Sequence, residues 1–96
     1  MGQKALFIAY NEALHEDVIE QLHLSLLKGY TAWQGITGAG SQNGEPHLGD
    51  HAWPTMNSAI LVFAPEQQAA DLKKRVEMLD FENPALGLRV FTWSID

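Results

Sequence analysis

Six consecutive apolar residues, Ala5-Leu6-Phe7-Ile8-Ala9-Tyr10, stand near the start of the chain and stop at Asn11-Glu12. This run constrains the fold more than any other feature. It has no polar alternation, so it carries bulk for both faces of a sheet and predicts a central strand. The period then changes at once. Asn11 has the side chain of an N-cap, and Glu12, Glu16 and Asp17 put acids where a helix dipole favours them. Leu14, Val18, Leu22 and Leu26 recur every four residues, with Ile19 and Leu27 beside them. The spacing predicts a helix over 11–28, with Lys28 at its end and Gly29 as the residue that closes it.

The same alternation of periods repeats downstream. Tyr30 to Thr37 and Asn57 to Phe63 are β-prone, Pro65 suits the first position of a helix, and Ala69, Leu72, Val76 and Leu79 form a second apolar stripe. Asp71 with Arg75, and Lys73 with Glu77, are spaced to pair across one turn. Pro84 and Gly87 end that helix, and Leu88 to Ile95 reads as the last strand. The expected strands are 4–10, 29–37, 57–63 and 88–95. The order βαββαβ predicts an α+β, ferredoxin-like sandwich: an antiparallel four-stranded sheet with two helices on one face. Residues 1–96 make a single domain. On the last strand Arg89, Phe91, Trp93 and Ile95 point one way, and Leu88 and Val90 the other. One apolar face is therefore left without a helix, which predicts self-association through the open sheet.

Charge narrows the partners. Six Lys+Arg against 12 Asp+Glu give a net charge of −6. Nucleic acid and anionic membranes reward clustered positive charge, so neither is expected as a partner. The chain has no Cys, which excludes thiolate nucleophiles and Cys-based metal sites. No stretch approaches the length of a membrane span, and the first apolar run ends too early for a signal peptide. A cytoplasmic location is the expectation.

Residues 38–55 show neither a helical nor a strand period. They open with Gly38-Ala39-Gly40-Ser41-Gln42-Asn43-Gly44, where glycines permit sharp turns and close approach to a ligand. The spacing is neither a Walker A loop nor a dinucleotide fingerprint. Glu45, His47, Asp50 and His51 follow within seven residues, a set of imidazoles and carboxylates able to hold a divalent transition metal; a packed loop with backbone-bonded histidines is the plainer reading. Elsewhere, His15 and His23 read as solvated helix residues, Trp33 and Trp93 as packing residues, and Lys73-Lys74-Arg75 as a solvated helix face. Tyr10, at the end of the first strand, is placed to line a cleft. No nucleophile has a base and acid at a recognisable spacing.

The element order, together with Ile36-Thr37 and the glycine-rich segment through Gly44, resembles the PII nitrogen-regulatory proteins. In that family a "GFGRQKG"-type segment ends the second strand and opens a long signalling loop. The resemblance implies a binding module rather than an enzyme: a homotrimer that binds an adenine nucleotide in clefts between subunits and docks its loop on a target protein. By position, Gly38, Gly40 and Gln42 match the part of the motif that lines the cleft. Ser41 stands where the family has Arg, and Asn83 to Arg89 lacks the family's Gly- and Lys-rich phosphate segment. The divalent-ion tolerance proteins share the fold and are similar in the same general way.

Overall fold

The computed structural model describes residues 2–37 and 56–95. Strand β1 (Gln3–Asn11) leads through a 3-10 turn at Glu12–Leu14 into helix α1 (His15–Leu24). Strands β2 (Thr31–Ile36) and β3 (Asn57–Pro65) follow, then helix α2 (Glu66–Glu82), a 3-10 turn at Pro84–Leu86 and strand β4 (Arg89–Ile95). The strand order is β2-β3-β1-β4, with every neighbouring pair antiparallel. This is the expected ferredoxin-like sheet, and the doubly apolar β1 occupies its centre.

One face of the sheet is sealed by both helices. Leu6, Ile8 and Tyr10 of β1 and Ile60 and Val62 of β3 form a single buried cluster with Val18 and Leu22 of α1 and Ala69, Leu72, Val76 and Leu79 of α2. Residues directly opposite in neighbouring strands share a face. The other face can therefore be read from the register in rows: Phe63-Ala5-Trp93, Leu61-Phe7-Phe91 and Ala59-Ala9-Arg89, with Trp33 beside Ala59. Among the described residues no helix covers these rows. Phe63 is 57% exposed and Trp93 46%, and Trp33 and Phe91 are comparably open. Small Ala5 is nevertheless buried between its two aromatic neighbours. The split of β4 expected from sequence, with Phe91 and Trp93 away from Leu88, holds: Leu88 is in the helix-side core.

The helix ends depart from expectation. Asn11 is the N-cap, its Oδ1 accepting from the Ala13 N–H at 2.9 Å, but it caps a 3-10 turn before α1 begins at His15. At the other end α1 stops at Leu24, well short of Lys28. Leu27 N–H donates to Leu22 O and Leu26 N–H to His23 O, both at 3.0 Å, the paired bonds of a Schellman turn. The left-handed residue this turn requires is Leu26, with φ 64, and not Gly29. Leu27 is thereby buried while Leu26, the last member of the expected stripe, is 81% exposed. From α2, Gln68 Nε2 donates to the Leu26 carbonyl at 3.2 Å and so satisfies part of the helix end. On α2, Asp71 and Arg75 pair at 3.0 Å as expected, whereas Lys73 and Glu77 form no ion pair. No helix among the described residues is long and apolar enough to cross a membrane.

Candidate functional site

The chain enters and leaves residues 38–55 at one end of the sheet, where β2 finishes, β3 starts and β1 passes into α1. Two pairings define that end: Ile36 and Asn11 both lie opposite Asn57. The Glu12 N–H donates to the Met56 carbonyl at 2.9 Å and ties the start of the helical segment to the start of β3.

A chain of polar side chains is assembled here. Tyr10 is the last residue of the apolar run and is wholly buried, which pushes its phenol up to about 12, with Tyr30 adding to the effect. Its Oη lies 2.6 Å from His15 Nδ1, and the two rings stack with centroids 5.9 Å apart. Nε2 of the same imidazole lies 2.9 Å from the side-chain amide nitrogen of Gln34 on β2. An amide nitrogen can only donate, so His15 Nε2 is the acceptor of the Gln34 bond. In the neutral ring that puts the hydrogen on Nδ1, which donates it to the Tyr10 Oη.

The backbone explains how Gln34 reaches the histidine. Trp33 lies opposite Ala59 but Ile36 lies opposite Asn57, so two residues of β2, Gln34 and Gly35, face the single residue Ser58. Gly35 has φ 68, the signature of a bulge that re-aims the preceding side chain. Ser58 also lies opposite Tyr10; it is buried, and its hydroxyl has no hydrogen-bond partner among the described residues. The phenol, imidazole, amide and hydroxyl therefore occupy one end of the helix-covered face. Glu12, Glu16 and Asp17 stand exposed in the first turns beside them.

The expectation that His15 is a solvated helix residue is therefore corrected: it is half-buried and bonded at both ring nitrogens. His23 is exposed, as expected. Trp33 and Trp93 lie on the open sheet face and are only half covered. The expected effector contacts Gly38, Gly40 and Gln42 lie outside the described residues, and so do the expected metal ligands Glu45, His47, Asp50 and His51. Among the described residues no group of three His, Asp or Glu could hold a metal ion.

No protein-family model matches the chain. No curated protein matches it either. Solved structures do. CPII, a nitrogen regulatory PII-like protein from Thiomonas intermedia K12 bound to ADP, AMP and bicarbonate, is 24% identical with a TM-score of 0.75, over 99% of this chain and 91% of that one. A Thermus thermophilus chain assigned as a PII-like signaling protein is 19% identical with a TM-score of 0.71, over 99% and 91%. A DUF3240 family protein from Shewanella baltica is 18% identical with a TM-score of 0.67, again over 99% and 91%. The chain has the fold of the PII-like proteins across nearly its whole length.

Proposed function

We propose that this chain is a divergent PII-like regulatory protein that binds a small effector, an adenine nucleotide, in clefts between the subunits of a homotrimer. The observation that carries the reading is the fold shared end to end with a PII-like protein holding ADP, AMP and bicarbonate. Two features of this chain support it. The sheet face away from the helices exposes Phe63, Phe91, Trp93 and Trp33 on one surface, a cluster of large apolar side chains of the kind that marks an interface. The glycine-rich segment containing Gly38, Gly40 and Gln42 leaves β2 at the end where Tyr10, His15 and Gln34 converge, so those glycines and Gln42 are assigned to the effector and residues 38–55 to a target protein. Without the family's motif Arg at Ser41, affinity for the phosphates is reduced.

Light scattering and a nucleotide titration test the reading together. The trimer scatters at three times the 10.7 kDa chain mass. ADP or AMP, with and without bicarbonate, changes Trp fluorescence saturably, and Gly40→Val abolishes the change. A monomer whose fluorescence no nucleotide alters refutes the proposal. Should zinc or copper alone produce the change, and His47→Ala with His51→Ala remove it, the loop is a metal site instead.

A further inference from the structure

We draw no further inference here: the strongest candidate, the exposed apolar groove that Met78 and Phe81 form with Lys74 and Glu77 on the outer face of α2, carries nothing because nothing in the structure shows what covers it.

Discussion

Replacing Leu26 with glycine should stabilise the protein. Leu26 holds φ 64 in the closing turn of α1, where an L-residue with a Cβ pays about 1–2 kcal/mol against the following carbonyl. Its side chain is 81% exposed, so truncation sacrifices little burial. Glycine returns part of the gain, because it loses more backbone freedom on folding, by roughly 0.5–1 kcal/mol. The net is a stabilisation of about 0.5–1 kcal/mol, or roughly 2–8 °C in melting temperature for a domain of this size. Urea and thermal melts followed by circular dichroism measure it, at one fixed protein concentration because association adds to apparent stability. Leu26→Ala is the control: it removes the same exposed side chain but keeps the Cβ, so it should gain nothing. The reasoning is refuted if Leu26→Gly melts at or below the parent temperature. If Leu26→Ala falls with it, the leucine side chain is instead holding a contact.

Three further outcomes follow from the geometry. Tyr10→Phe removes the bond to His15 Nδ1 and should cost about 1 kcal/mol in urea melts. The phenol ionises near 10 in the unfolded chain and at about 12 in the folded one, so its contribution is complete below pH 10 and is lost as the pH rises toward 12; alkaline melts of Tyr10→Phe should show a shallower decline than those of the parent. Phe63→Ser combined with Phe91→Ser should lower the scattering mass toward 10.7 kDa while preserving far-UV circular dichroism, since both residues lie on the open face; an unchanged mass would place the subunit contact elsewhere. The Arg75 guanidinium holds the Asp71 carboxyl below its ordinary range, yet both groups are solvent-exposed, so Asp71→Asn should leave the melting temperature unchanged at pH 7.

The elements were legible where a period ran uninterrupted. The six-residue apolar run could only be a central strand, and the stripes at Leu14-Val18-Leu22 and Ala69-Leu72-Val76-Leu79 name the faces that are in fact buried. Asn11 advertised its cap. The end of α1 was not legible, because Gly29 carries the compositional signal for a closing residue while the energy is decided by Leu27, whose burial forces Leu26 into the left-handed region. The polar end of the sheet was hidden for related reasons. Tyr10 and His15 meet only because a 3-10 turn separates strand from helix, Gln34 reaches them only through the bulge at Gly35, and the isolation of the Ser58 hydroxyl depends on a register that no local pattern encodes. The glycine-rich and histidine-bearing segment was the most conspicuous feature of the sequence. It lies outside the described residues, so its assigned roles rest on motif and position.

The central place of β1 sets a problem for the chain as it is made. This apolar segment emerges from the ribosome before both of its pairing partners, of which the nearer begins only at Asn57 and the other at Arg89. Until then both edges of the strand are bare templates for another chain, and closing the sheet demands contacts between its first and last strands. Such topology folds slowly. Nascent chains released before β4 is complete should expose one flank of Ala5–Tyr10 and aggregate, so the yield of native protein should depend on holdase chaperones more strongly than the stability of the finished domain would suggest.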